Sequence, residues 1–150
     1  EMLAREAIRA TMAKCTQAGD SLRAEEYASC FAEDGILQTK GPEGAAGLDL
    51  HSRAEILAWQ GGWRDKPAET NAPHTARFVR HNLTTCKIEL TGPDTARART
   101  YWMVMTDVGP DHCGVYQDTF RKVGDEWLIA HRKVTTEWNA ADSHFVAPKE

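Results

Sequence analysis

Two residues of this chain are of types that could move a proton between them, Asp20 and His81. His81 stands near the start of Arg80-His81-Asn82-Leu83-Thr84-Thr85-Cys86-Lys87-Ile88-Glu89-Leu90, a stretch that reads as a long strand. Asp20 sits where a first helix breaks and a second begins. If the fold joins them, the carboxylate can hold the imidazole in one tautomer and leave its other nitrogen to act as a general base. A plainer arrangement suits the same residues: a strand histidine satisfied by a backbone carbonyl, and an aspartate that caps a helix.

A second candidate group lies further along. Tyr116, Asp118 and Phe120 alternate onto one strand face, which sets a carboxylate between two aromatics. Asp118 is either a further acid or the ion-pair partner of Arg132; the ion pair is favoured, because structural pairs outnumber catalytic acids. The four cysteines, Cys15, Cys30, Cys86 and Cys113, form no CxxC pair and predict no disulfide framework. None of the six histidines stand at helical i, i+4 spacing, and His112-Cys113 are strand neighbours that point to opposite faces. No metal and no cofactor are expected.

The elements that must position these residues follow from periodicity. Leu3, Ala7, Ile8, Met12 and Cys15 recur at three- and four-residue steps, predicting an amphipathic helix over 3–18. Gly19 supplies a stop, and Asp20 or Ser21 an N-cap for a shorter helix that carries Leu22, Tyr27 and Phe31 inward. Ile36-Leu37-Gln38-Thr39 is a short strand, residues 40–50 a surface loop, and Ser52-x-x-Glu55 a capping box for a helix from about Arg53 to Trp63. The polar stretch from Arg64 to Pro73 reads as a mobile segment. Four strands then follow, over 75–90, 95–107, 113–123 and 126–138, separated by Gly- and Pro-bearing turns. His81, Leu83 and Thr85 share one strand parity and Ile88 and Leu90 the other, so one core is served only if a β-bulge intervenes near Thr85-Lys87. The tail from about 139 is expected to be extended or packed on a neighbour.

Composition bounds the function. At 150 residues with 41% hydrophobic content and five tryptophans, the chain suits one globular α+β domain with an aromatic-rich interior. A net charge of −4 without any Lys/Arg run argues against nucleic acid. No apolar stretch approaches the roughly 18 residues of a membrane span, and no signal-peptide pattern opens the sequence, so the cytoplasm is the expected compartment.

Four ordered features carry a family resemblance. They are Ile8 through Asp20 followed by Tyr27-x3-Phe31-Ala32-Glu33-Asp34-Gly35; Arg80-His81 ahead of Ile88-Glu89-Leu90; Asp94-Thr95-Ala96; and Gly114-x-Tyr116-x-Asp118-x-Phe120 running into Gly124-x-x-Trp127-x-Ile129-x-x-Arg132. In these the chain resembles the SnoaL-like branch of the nuclear transport factor two-like superfamily, and within it the scytalone dehydratase and hexachlorocyclohexane dehydrochlorinase type. The resemblance implies a cone-shaped α+β barrel, with three N-terminal helices on a strongly curved, mainly antiparallel sheet. It also implies an Asp-His dyad, whose two positions fall on Asp20 and His81. The departures are equally specific: Gly19 stands where that type has a tyrosine, a second tyrosine falls near Thr39, its second histidine near Cys113, its asparagine near Thr135, and the dehydrochlorinase lysine at Cys15. Cys15, Thr39, Cys113 and Thr135, with Trp102, Tyr116 and Asp118, are the expected pocket. The base survives while the groups that polarise the substrate do not; Tyr101, Tyr116 or a water are the substitutes in view.

The activity so implied is a cofactor-independent lyase, dehydratase- or dehydrohalogenase-like, or an isomerase, acting on a small apolar cyclic molecule. A non-catalytic ligand-binding or assembly domain, or the small subunit of a ring-hydroxylating oxygenase, would use the same fold. Exposed strand methionines, Met103 and Met105, predict a homo-oligomer, with the resemblance pointing to a trimer ahead of a dimer.

Overall fold

One stripe of α1 (Met2–Asp20) is apolar, and it buries Ile8, Met12, Cys15 and Ala18 against the sheet. A computed structural model describes residues 1–40, 47–65 and 76–145. Gly19 does not stop the helix; the turn comes at Leu22, whose φ of 54° reverses the chain while Arg23 N–H bonds back to the Ala18 carbonyl at 2.9 Å. Leu22 is consequently exposed, not inward as expected. Gly19 serves close packing instead, since a Cβ there would meet the Tyr27 ring at 3.3 Å. The short α2 (Ala24–Ser29) is preceded by Arg23, not Asp20 or Ser21, so the Asp20 carboxylate is not consumed as its cap. Phe31, fully buried, opens β1 (Phe31–Lys40) and does not belong to the helix.

Ser52 Oγ accepts the Glu55 N–H at 3.1 Å and starts α3 (Arg53–Asp65). Glu55 reaches back to the N–H of His51 at 2.8 Å, one residue before the partner a capping box would use. Buried Gln60 of α3 donates to the Gly19 carbonyl at 3.4 Å, tying the end of α1 in place. The segment expected to be mobile falls, from residue 66 on, outside the described residues, as does most of the loop expected over 40–50.

The remaining strands are β2 (Asp49–Leu50), β3 (Arg80–Leu90), β4 (Thr95–Thr106), β5 (Gly109–Val123) and β6 (Glu126–Asn139). They form a six-stranded sheet in the order β2-β1-β6-β5-β4-β3. The sheet is mixed, because β1 runs parallel to β6 while the other pairs are antiparallel. It is also open, with β2 and β3 at its edges, so the arrangement is α+β without the closure of a complete barrel. No described helix is long and apolar enough to cross a membrane.

Cross-strand register sorts the inward side chains into rows. Beyond the core row Phe31–Ile129–Phe120–Ala96–Leu90 comes Leu37–Arg132–Asp118–Ala98–Ile88; next come Thr39–Val134–Tyr116–Thr100–Cys86, then Thr136–Gly114–Trp102–Leu83, and finally His112–Val104–His81. One register could not hold this order, and bulges correct it. The β3 register shifts between Leu83 and Cys86, as the parity conflict there requires, which turns both His81 and Ile88 to the helix-covered face. A shift between Val104 and Met105 leaves Asp111 as the extra residue of β5. Phe31, Leu37, Ile56, Phe120 and Ile129 form the centre of the core, each large side chain contributing about 1.5–3 kcal/mol on burial.

Two expectations about the surface change. Met103 and Met105 are half-buried; the exposed aromatics on the outer side of these strands are Tyr101 and Trp138, 45% and 51% accessible. Residues 140–145 are not extended from the fold but turn back onto β5 of the same chain, where Ser143 is buried and the Phe145 ring lies 4.9 Å from that of His112.

Candidate active site

Asp20 ends α1 and His81 enters β3, and the packing of the helix on that edge strand brings them into contact. His81 Nδ1 lies 2.6 Å from Asp20 Oδ1, and the His81 backbone N–H donates to Oδ2 at 2.8 Å. Both carboxylate oxygens are engaged by one residue, which sets the orientation of the ring as well as its tautomer. With the carboxylate as acceptor, the proton sits on Nδ1 and Nε2 keeps its lone pair. The Asp20 side chain is 7% exposed and that of His81 31%, so the acceptor is shielded while the imidazole stays reachable.

A second histidine faces the same side. His112 shares the final row with His81, separated by fully buried Val104, so two strand spacings place their backbones about 10 Å apart. Its Nδ1 lies 2.6 Å from Asp111 Oδ1, again leaving Nε2 unengaged by that bond. The bulge that lifts Asp111 from the ladder lets it become a fully buried acceptor, reached by Ser143 Oγ at 2.5 Å, the His144 N–H at 3.0 Å and Thr106 Oγ1 at 3.0 Å. Burial pushes the Asp111 carboxyl up, but these bonds outweigh it and hold it below the ordinary carboxylate value. His112 is held below the ordinary imidazole value, chiefly by burial and in part by the nearby His81, against the opposing pull of Asp111.

Trp102 lies between the two imidazoles, its ring 6.4 Å from His81 and 5.4 Å from His112, and it stacks on Tyr116 at 5.6 Å. Burial pushes the Tyr116 phenol well above its ordinary value, so it stays neutral. The Arg132 guanidinium covers the far face of this group, 4.2 Å from the Tyr116 ring centre.

The other expected pocket residues divide. Asp118 is paired with Arg132 through two bonds of 2.9 and 2.8 Å, as the ion-pair reading holds, and lies six residues, roughly 20 Å of strand, from His112. Cys15 is fully buried with that pair, accepting from Arg132 Nη1 at 3.6 Å, and its thiol is pushed well up by contact with Cys30 and by burial. Thr39 shares the Tyr116 row by register, but its hydroxyl accepts the Leu48 N–H at 2.7 Å. Cys113 and Thr135 pair in rows of the opposite face, Cys113 with Met103 and Thr135 with Val115. Their inward counterparts are His112 and Thr136, each one residue away. His112 is the residue that sequence reasoning misses, although stepping back by twos from Asp118 and Tyr116 reaches it. His74 lies outside the described residues.

Among the described residues no three His, Cys, Asp or Glu side chains are grouped to hold a metal ion. An open cleft of about 420 Å³ near Glu33, Asp34, Arg53 and Arg121 contains none of the candidate residues. The row presents two oriented imidazoles beside the Trp102 and Tyr116 rings.

Known proteins supply the context for this geometry. No curated protein matches the chain at a significant level. A candidate scytalone dehydratase from Novosphingobium aromaticivorans superposes with a TM-score of 0.75 at 21% identity, over 98% of this chain and 92% of that one. The beta subunit of a candidate aromatic-ring-hydroxylating dioxygenase from the same organism gives 0.74 at 19% identity, over 93% and 92%. A protein from Catenulispora acidiphila in complex with S-DNPA gives 0.70 at 20% identity, over 91% and 95%. At these identities the likeness shows the fold. The profile of the SnoaL-like domain matches residues 1–133, and the chain belongs to that family.

Proposed function

We propose that the chain is a cofactor-independent lyase or isomerase in which His81 removes a proton from carbon and Asp20 holds the imidazole for that task. The observation that carries this reading is the double anchoring of Asp20, at 2.6 Å to Nδ1 and 2.8 Å to the backbone N–H of the same histidine. A cap or a solvated surface pair needs neither contact; a base whose Nε2 must meet a C–H at fixed geometry needs both.

In the proposed reaction the C–H bond beside an activating group breaks and its proton passes to His81 Nε2. The electron pair forms a C=C bond as the group on the neighbouring carbon departs. A halide leaves unaided, and a hydroxyl leaves as water on taking a proton from the His81 imidazolium or from solvent. In an isomerisation the proton returns at a different carbon. Asp20 stabilises the imidazolium that forms. The candidate dehydratase and the S-DNPA complex among the structural neighbours are consistent with a small-molecule site in this fold.

A second reading, an assembly subunit without chemistry of its own, is favoured by the equally close fit to the dioxygenase beta subunit. Self-association belongs to either reading, and the outer face bearing Tyr101 and Trp138 is the surface proposed for it.

The test is turnover of a panel of hydroxylated or halogenated cyclic compounds without added metal or nucleotide. His81→Ala is expected to slow elimination about 10²- to 10⁴-fold. A compound processed by His81→Ala at the wild-type rate would refute the mechanism.

A further inference from the structure

Trp102 is 3% exposed, yet its Nε1–H has no hydrogen-bond partner among the described residues. A buried donor in that condition is uncommon, because an unmade bond in the interior destabilises the fold. The indole is held in place. Tyr116 stacks against it with rings 26° apart, and Gly114 beneath it has no side chain where a Cβ would come within 2.8 Å of Trp102 Cζ2. Its other ring neighbours, His81 and His112, commit their Nδ1 atoms to Asp20 and Asp111. The donor thus has nothing in the described chain to receive it, on a ring whose centre lies 6.4 Å from that of His81, the proposed base.

We propose that Trp102 Nε1–H recognises a carbonyl or hydroxyl oxygen of a flat cyclic ligand, and so selects an oxygenated ring over the corresponding hydrocarbon. This deepens the reading of His81 as a base and rests on it for the ligand's place. In that reaction the indole N–H supplies the polarising contact that Gly19 and Thr39 cannot make in place of tyrosines. When His81 takes the proton beside a carbonyl, negative charge moves onto the oxygen, and a fixed donor there stabilises it more than the neutral carbonyl. Tyr101 cannot fill the role, being exposed on the outer side of β4. The Trp102 and His112 rings, set at 76° to one another, are aromatic surfaces against which a flat ring packs.

The experiment uses 2-tetralone, a bicyclic ketone with acidic C–H bonds, and tetralin, its hydrocarbon counterpart, as probes. In ¹⁵N-tryptophan-labelled wild-type protein, the ketone should move the Trp102 indole N–H resonance downfield by several tenths of a ppm, and tetralin should leave it in place. Trp102→Phe, which also assigns the resonance, should weaken ketone binding about 5- to 30-fold and tetralin binding less than twofold. Equal shifts from both probes, an unchanged ketone-to-tetralin ratio in Trp102→Phe, or no ketone binding at millimolar concentration would each overturn the proposal. If Trp102→Phe fails to fold, triple-resonance NMR of the wild type assigns the five indole N–H signals and the shift measurement stands. Deuterium exchange beside the carbonyl is followed in the same wild-type samples. A resonance shift without exchange supports the recognition by Trp102 while counting against His81 as the base.

Discussion

Removing Arg132 alone should cost far more than removing it together with Asp118. The pair is bidentate at 2.9 and 2.8 Å, and both side chains are essentially inaccessible. Its row neighbours, Leu37, Ala98 and Ile88, offer no polar atom of their own side chains to replace a lost partner. Arg132→Met therefore strands a carboxylate among apolar groups, at a cost of about 3–5 kcal/mol. Asp118→Leu strands the guanidinium, left with only the Tyr116 face and the Cys15 sulfur, at a similar cost. In the double variant no charge is buried, the volume is roughly kept, and stability should return to within about 2 kcal/mol of wild type. Against the sum of the single costs, that is a coupling of several kcal/mol. Urea unfolding followed by circular dichroism at neutral pH measures all four proteins. For a chain of this size each single variant should melt roughly 6–20 °C lower. Additive losses in the double variant, or a single cost below about 1 kcal/mol, would show that the pair does not carry the buried charge in this way.

Other perturbations follow from the site. Gly114→Ala would place a Cβ 1.9 Å from the Thr135 carbonyl oxygen, a backbone atom that cannot step aside; it should destabilise by about 3 kcal/mol or more and disturb the Trp102 indole resonance, and wild-type stability would refute the close packing. Asp20→Asn should lower turnover as well as His81→Ala does, because an amide can donate to Nδ1 and favour the wrong tautomer; full activity in that variant would remove Asp20 from the mechanism. With His112 held below the ordinary 6.5, the unfolded chain takes up the proton first, so its contribution to stability is complete above 6.5 and is lost as pH falls toward the folded value. Asp111, held below the ordinary 3.8, extends the loss into the acid range, and histidine NMR showing His112 titrating above 6.5 would contradict the sign. Trp138→Glu should shift sedimentation toward a smaller species if the outer face is the self-association surface, and a wild-type protein that already sediments as a monomer would refute it.

The strand half of the fold is legible in the sequence because turns such as Thr91-Gly92-Pro93-Asp94 and Gly124-Asp125 punctuate it, and because the parity conflict between His81 and Ile88 announces the bulge in β3. The helical half is legible in its periodicity but not in its ends. Gly19 reads as a stop by local conformational preference, whereas its position is set by the Tyr27 ring packed against it, and the reversal falls on Leu22, a residue of poor left-handed propensity. Such a choice is made by tertiary packing, which no local pattern contains.

The candidate site shows the same division at higher stakes. The pairing of Asp20 with His81 is foreshadowed by family spacing alone, because helix end and strand edge come together through the whole α1–β3 packing. The second histidine is displaced by one residue when family positions are carried over without the pleat: Cys113 and Thr135 fall on the outer face, His112 and Thr136 on the inner. Period-two alternation from Tyr116 corrects the first, but the partner of His112 cannot be found that way. Asp111 is adjacent in sequence and should point outward; it is buried beside His112 only because the β4–β5 register slips between Val104 and Met105. That slip also draws Ser143 and His144 onto the carboxylate, so the last described residues help set the tautomer of an inward imidazole. Ser143→Ala should accordingly raise the His112 exchange rate with solvent and leave the Asp20–His81 contact unchanged, because the two histidines are oriented by separate carboxylates on separate elements.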